Sequence, residues 1–507
     1  MVIQQIYKNF LKLKTFSGKS ICTFGFLSIT PMITDHLEFY RILKSEFPFV
    51  PTELQSTLLE QLSSFILDKG KSQLFLLKGY AGTGKTTTMS TLVNNLGQVG
   101  MKFFLLAPTG RAAKVIANYS GKKAFTVHKK IYHPRKAKNG GVSFALQQNT
   151  HTNTIFIIDE ASMIPDSKAN ANFFDQSSLL DDLLSYVYAG RNCKLIFVGD
   201  TAQLPPVKLD LSPALQADTL IYDYNKKVIE LELNEVMRQH QNSGILANAT
   251  QLRLLLNDGI YDGFQFNLNF PDIIRLTDGY DIEDAITVTY DSIGVEDTAF
   301  IVRSNKRANQ YNQQIRTSIR GQENEIAAGD YIMVVKNNYY WLEDTSTAGF
   351  IANGDICEIL RIFSYKDLYG FKFAEVTVRM IDYPEEKPFD TVVLLDTLTS
   401  VTPSLTYEES NKLYEEVAKD YEDEKSSYKR LLAIKKNKYF NALQIKFSYA
   451  VTCHKSQGGQ WKTVFIEQPY LPEGQSLSYF RWLYTAITRA QEKLYLIGFS
   501  DEYFNEP

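Results

Sequence analysis

The strongest constraint on this chain is a short apolar run, Leu74–Lys78, that leads directly into Gly79-Tyr80-Ala81-Gly82-Thr83-Gly84-Lys85-Thr86. The spacing fits G-x-x-x-x-G-K-[ST], and it stands where that motif has to stand, between a buried strand and a helix. Glycines let the backbone wrap phosphate oxygens, and N–H groups at the start of the following helix supply positive potential. In such a loop Lys85 reaches the β- and γ-phosphates and the Thr86 hydroxyl ligates Mg2+. The candidate ATP-binding set is Gly79, Ala81, Gly82, Thr83, Gly84, Lys85, Thr86 and Thr87.

A phosphate loop of this kind needs an acidic partner for the metal. The apolar residues Ile155-Phe156-Ile157-Ile158 run straight into Asp159-Glu160. Asp159 is placed to hold Mg2+ together with Thr86, and Glu160 to orient and deprotonate the attacking water. An isolated Asp-Glu pair is common on surfaces; the preceding apolar strand and the phosphate loop favour catalysis here. Phe103–Leu106, Thr154–Ile158, Lys194–Val198 and Ala299–Val302 are further short apolar runs. Buried strands alternating with helical stretches predict an α/β fold with parallel sheets, and ligands on such sheets sit at the carboxyl ends of the strands.

Charge is nearly balanced, with 54 Lys+Arg against 57 Asp+Glu. That argues mildly against a nucleic-acid binder, but a protein gripping a strand in an internal channel needs only local positive charge. The four cysteines, Cys22, Cys193, Cys357 and Cys453, contain no C-x-x-C pair. The pattern speaks against a zinc or iron–sulfur module and for a reducing cytoplasm. No run approaches the ~18 apolar residues that span a bilayer, so no membrane partner is expected. Near the N-terminus four lysines precede Ile21–Ile29, but Thr23 and Gly25 interrupt that stretch and no A-x-A site follows. A secretory signal is disfavoured, and Met32 is an alternative start of translation.

Between two of the strands, residues 133–150 carry Asn139-Gly140-Gly141, a hairpin turn, and read as a small protruding β element. A β-like alternation follows over 363–398, then a charged helical stretch over 407–443 with a Tyr414, Val417, Tyr421 stripe. That stripe suits packing on the chain's own domain better than a dedicated partner site.

The remaining loops narrow the class. Thr52-Glu53-Leu54-Gln55 resembles a Q motif, Ala107-Pro108-Thr109-Gly110-Arg111 a motif Ia, and Thr126-Val127-His128 a motif Ib. Gly199-Asp200-Thr201-Ala202-Gln203 resembles motif III, Asn234 to Arg238 motif IV, Val451 to Gly458 motif V, and Tyr484 to Arg489 motif VI. In this order, from about Thr52 to Gly498, they resemble the superfamily 1 helicases of the RecD/Dda-like, Pif-type branch.

The resemblance implies two tandem RecA-like domains with an inserted β-hairpin pin and an inserted SH3-like barrel. It divides the chain into an N-terminal extension (1–50) and domain 1A (51–212, with the pin at 133–150). Domain 2A takes 213–355 and 441–507, around a barrel, 2B, at 356–440 with a charged helical arm. The resemblance assigns Gln55 to adenine, Gly458 to the nucleotide and Gln203 to sensing the γ-phosphate. Arg238 and Arg489 become arginine fingers that must come from a second domain closing over ATP. Pro108, Thr109, Arg111, Thr126, His128, Thr452, His454, Lys455 and Ser456 become strand contacts, their hydroxyls, imidazoles and ammonium groups suiting phosphate oxygens. Phe144 is either a stacking tip of the pin or hairpin core, and Trp341, Tyr339 and Tyr340 either stack on bases or pack in the core.

The implied activity is ATP-dependent 5′→3′ translocation on single-stranded DNA and unwinding at duplex junctions, by a monomeric motor using Mg2+. A translocase that does not unwind and a nucleotide-gated binding scaffold are the rivals. The complete set Lys85, Asp159, Glu160, Gln203, Arg238 and Arg489 argues against the scaffold.

Overall fold

The computed structural model describes residues 32–136, 142–165, 178–207, 209–235, 242–343, 346 and 348–504. All five apolar runs are strands: β1 (Gln73–Gly79), β2 (Lys102–Ala107), β6 (Thr152–Ile158), β7 (Arg191–Gly199) and β10 (Thr298–Val302). With β3 (Ala124–Thr126) and β8 (Lys227–Leu233), four of them build a parallel sheet in the order β3-β2-β6-β7-β1-β8. Its central strands are apolar on both sides because helices cover both faces. One face packs on Leu58, Leu62, Phe65 and Leu92, the other on Val127, Leu180 and Leu183.

Two expected boundaries move. The helix His36–Ser45, capped by Asp35, sends Phe39 and Leu43 fully into the first sheet's core. Residues from there to 50 therefore belong to the first domain rather than to an extension; residues 1–31 lie outside the described part. Strand β8, sequence KVIELEL, was expected in the second domain but pairs in parallel with β1 from Gln73↔Lys227 to Gly79↔Leu233. Its alternating glutamates are what an edge strand carries on its solvent face.

The second sheet is also parallel, in the order β16-β10-β17-β18-β9, with β9 at Ile273–Leu276, β16 at Ala450–Thr452, β17 at Trp461–Glu467 and β18 at Ala490–Ile497. Three of its strands follow the insertion in sequence. The insertion is a closed five-stranded barrel of β11 (Tyr331–Val334), β12 (Ile356–Leu368), β13 (Phe371–Met380), β14 (Phe389–Leu394) and β15 (Leu443–Phe447). It is wider than the expected 356–440, because β11 and β15 pair with each other to close it. Its interior, with Ile359 and Val376, is continuous with the face of the second sheet that carries Phe300 and Phe465.

The charged arm folds as two helices, Tyr407–Lys419 and Ser427–Lys436, which bury Leu413, Val417 and Ile434 against Phe371, Phe373 and Leu394 of the barrel. Packing on its own domain explains the stripe, with Tyr414 left 38% exposed at its edge. Trp341, half-buried, also packs on the barrel and donates from Nε1 to Asn441 O at 2.8 Å. Residues 133–150 contain an antiparallel hairpin, β4 (Tyr132–Lys136) with β5 (Val142–Leu146). Phe144 pairs with Pro134 in that ladder; its side chain and the Asn139-Gly140-Gly141 turn lie outside the described residues. Among the described residues no helix is long and apolar enough to cross a membrane.

One buried ion pair joins the second domain to the barrel. The side chains of Arg316 and Asp330 are both 0% exposed, and the guanidinium donates to the two carboxylate oxygens at 3.0 and 2.9 Å. Tyr449 OH adds a third donor at 2.8 Å. Asp330→Ala would leave a buried, unpaired cation, and we expect a loss of about 3–5 kcal/mol. Urea denaturation followed by fluorescence checks this, with the exposed pair Lys372–Glu325 as a control whose removal should not move the transition.

Candidate nucleotide and strand site

The phosphate loop leaves β1 and enters the helix Lys85–Asn95 through two left-handed glycines, Gly82 (φ 75°) and Gly84 (φ 87°). Side-chain-bearing residues rarely adopt that backbone. A Cβ on Gly79 would lie 3.0 Å from Thr83 Oγ1 and 3.2 Å from Leu233 O, so this glycine permits close packing on β8. Thr83 is buried, and its hydroxyl and its backbone N–H both donate to Tyr80 O, at 2.8 and 3.4 Å. Lys85 Nζ lies across the loop, donating to Gly79 O at 2.7 Å and Tyr80 O at 2.8 Å. Thr86 and Thr87 occupy the first helical turn, where free N–H groups favour an anion.

Gln55 is 1% exposed. Its amide accepts from Thr52 N at 3.1 Å and donates to Thr83 O at 3.0 Å, joining the capping box of the helix Glu53–Leu67 to the phosphate loop. In this arrangement Gln55 positions the loop. Beside Thr86 and Thr87 lies a cavity of about 370 Å3 lined by Pro48, Phe49, Asn94 and Tyr119. It is large enough for a base and ribose. Sequence reading missed it, because Phe49 and Tyr119 lie outside every motif. Tyr119 OH also donates to Gln460 Oε1 at 3.0 Å and accepts from Gln491 Nε2 at 2.8 Å, two second-domain residues.

Strand β6 delivers the acidic pair. Glu160 takes a left-handed backbone (φ 53°), which costs a non-glycine residue about 1–3 kcal/mol and turns its carboxylate out of the strand direction. Burial, and next the charge of Glu160, push the Asp159 carboxyl up to about 7. Oxygen donors from Thr86 and Asp159 suit Mg2+, and a divalent cation would relieve the crowding of two adjacent carboxylates. Across the sheet, Gln203 is 7% exposed and its Oε1 is buried without a hydrogen-bond partner among the described residues. The side chains present therefore fit a Mg2+–nucleotide.

The second domain closes the other side. Arg489, 3% exposed, places Nη1 3.8 Å from Glu160 Oε1 while Nε and Nη1 donate to Thr485 O and Gly459 O. The loop after β7 is held on both sides: Leu204 N donates to Thr485 Oγ1 at 2.8 Å, and Leu204 O accepts from Gln457 Nε2 at 2.6 Å. Tyr484 OH bridges Asp200 Oδ2 at 2.7 Å and Ala81 N at 3.0 Å. Arg238 lies outside the described residues.

The expected strand contacts divide. Pro108 and Thr109 stand half-buried at the end of β2, His454 is exposed, and Lys455 is half-buried with its pKa lowered by burial. Ser456 is 0% exposed and donates to Cys453 O, so no strand reaches it. Thr126 is buried and caps the helix Val127–Ile131, accepting from Lys129 N at 3.2 Å. Thr452 is likewise buried, at the N-cap of a short helix. Burial pushes His128 down to about 4, so at neutral pH it carries no positive charge for a phosphate. Arg111 lies 4.0 Å from the Trp461 ring centroid instead of on an open face. Gly458, expected at the nucleotide, has φ 71° and would place a Cβ 2.6 Å from that of Ala112; it brings motifs V and Ia together. A Cβ on Gly110 would lie 2.6 Å from Tyr383 OH and 2.9 Å from Asp355 Oδ1, so the barrel touches motif Ia as well.

Asp159 yields a pH dependence. Its folded pKa is raised from 3.8 to about 7, so folding retains a proton over that window. The metal-free protein should lose stability as pH rises through it, Asp159→Asn should make that slope shallower by the share of one carboxyl, and Mg2+ with nucleotide should do the same in the wild type. Urea midpoints across pH test this; the same profile in wild type and variant would contradict it.

A family model described as an AAA domain matches residues 60–255, and a UvrD-like helicase C-terminal domain matches 447–497. The chain is 31% identical over 163 residues to the ATP-dependent RecD2 DNA helicase of Deinococcus radiodurans, a match covering 32% of this chain and 20% of the relative. It is 28% identical over 190 residues to the ATP-dependent DNA helicase dda of enterobacteria phage T4, covering 36% and 39%. The chain thus spans well under half the length of these two relatives. A Pif1 helicase from Bacteroides, solved with ADP-AlF3 and ssDNA, superposes with a TM-score of 0.46 at 15% identity, covering 90% of this chain and 95% of that one. The chain thus carries an AAA domain followed by a UvrD-like helicase C-terminal domain, and each of the two helicases, RecD2 and Dda, resembles part of it in sequence.

Proposed function

We propose that the protein is an ATP-driven motor that translocates 5′→3′ on single-stranded DNA and separates duplex at a junction. The observation that carries this is Arg489: a second-domain guanidinium, buried and 3.8 Å from Glu160 of the first domain's acidic pair. Such a composite site turns over only when the two domains are together, which links hydrolysis to relative movement of the domains.

In this reading Lys85 and the amides of Gly82 to Thr87 hold the phosphates, and the cavity at Phe49 and Tyr119 takes the base. Thr86 and Asp159 would hold Mg2+, which neutralises charge on the β- and γ-phosphates. Glu160 orients water and receives its proton. Gln203 presents its free oxygen to the same space, and Arg489 meets the negative charge that develops on the transferred phosphoryl group. Pro108, Thr109, His454 and Lys455 contact the strand's backbone, and the hairpin at 132–146 serves as the wedge. The heading, 5′→3′, is taken from the likeness to the RecD/Dda-like branch.

Arg489→Ala should lower ATP turnover about a thousandfold or more while leaving nucleotide binding within a few-fold of wild type. A malachite-green assay of phosphate release, paired with fluorescent-nucleotide titration, separates the two effects. Partial duplexes with a 5′ or a 3′ single-stranded tail test the motor itself. Unwinding from the 5′ tail is expected; unwinding from the 3′ tail alone would refute the branch-derived heading, and unwinding from neither would leave a translocase.

A further inference from the structure

We infer that Tyr484 is a positioning residue for ATP turnover: its hydroxyl fastens the second domain to the phosphate loop and thereby sets where Arg489 stands. The inference rests on the ATPase reading of the cleft.

Tyr484 belongs to the helix Leu477–Ile487 of the second domain and is 1% exposed. Its hydroxyl donates to Asp200 Oδ2 at 2.7 Å and accepts from Ala81 N at 3.0 Å. Both partners are in the first domain, one in the loop after β7 and the other in the phosphate loop itself. A carboxylate can only accept and an amide N–H can only donate, so the bridging atom must do both. A phenol does this at the end of a rigid ring, whereas Phe has no such atom and Lys or Arg no acceptor.

The Asp200 carboxylate is 1% exposed, and its other oxygen accepts from Ala202 N at 2.9 Å. Tyr484 therefore supplies a hydrogen bond to an anion that water barely reaches. The same helical turn faces both ways. Thr485 Oγ1 accepts from Leu204 N, and Thr485 O accepts from Arg489 Nε at 3.0 Å. Slack at the Tyr484 hydroxyl would pass along this turn to the guanidinium, and a displacement of about 1 Å at a reacting group can cost about a hundredfold in rate. Burial raises the Tyr484 phenol pKa well above its ordinary value, so the hydroxyl remains protonated throughout the working pH range.

Tyr484→Phe keeps the ring and removes the bridge. We expect strand-stimulated kcat to fall at least about tenfold, KM for ATP to stay within about threefold, and the urea midpoint to hold. Asp200→Asn should slow turnover too, and the double variant should be no slower than the slower single one, because both changes break one contact. Wild-type turnover in Tyr484→Phe, equal loss in kcat, KM and stability, or additive slowing in the double variant would each overturn the inference while the ATPase reading stands. A wild-type protein without strand-stimulated turnover would overturn both.

Discussion

A phosphate loop cannot neutralise charge that grows on the far side of the γ-phosphate, and the second domain is built around that limit. In the proposed reading, Lys85, Thr86, Asp159, Glu160 and Gln203 on the first sheet's carboxyl edge face the nucleotide from one side. In that reading the cation for the other side is Arg489, 3.8 Å from Glu160, whose position depends on the helix before it being held in place. The contacts that hold it are directed hydrogen bonds rather than apolar surface alone. Thr485 and Gln457 take the two backbone groups of Leu204, and Tyr484 takes a carboxylate and an amide. Such contacts have narrow geometry, so the cleft has a defined closed position instead of a range of them.

The same closure governs motif Ia. The helix Gly110–Ser120 starts where three bodies meet: Gly458 of the second domain packs on Ala112, Trp461 lies under Arg111, and Tyr383 and Asp355 of the barrel press on Gly110. Lys114 Nζ donates to Ile381 O of the barrel at 2.8 Å. Gly458 and Gly110 sit where a methyl group would collide with a neighbour, so they act as packing residues rather than ligand contacts. One loop of the second domain lines both the cleft, through Gln457, and this junction, through Gly458.

The phosphate loop, the acidic pair and the five apolar runs were legible in sequence because each combines a local pattern with a chemical demand. Apolar strands ending in glycine or aspartate have few alternative folds. Edges were less legible. Strand β8 alternates like a surface strand, and nothing local says which sheet it borders. β11 and β15 are each too short to announce a barrel whose closure joins Met333 to Lys446, 113 positions along the chain (446 − 333). Ser456, Thr126 and Gly458 were misassigned for one physical reason: small residues in a motif serve caps and close packing as often as ligands, and burial separates the two. Tyr484, although it opens motif VI, carries no role of its own in the sequence reading, and Tyr119 lies outside every motif, because both make their contacts to residues hundreds of positions away.

The central claim is that hydrolysis between the two domains is coupled to a strand lying across them. The most direct test is the steady-state rate of ATP hydrolysis by the intact chain, with and without a saturating single-stranded oligodeoxynucleotide. Coupling predicts a many-fold rise in kcat with the strand, and loss of that rise when Lys85 is replaced. An unchanged rate in the presence of strand would contradict the claim.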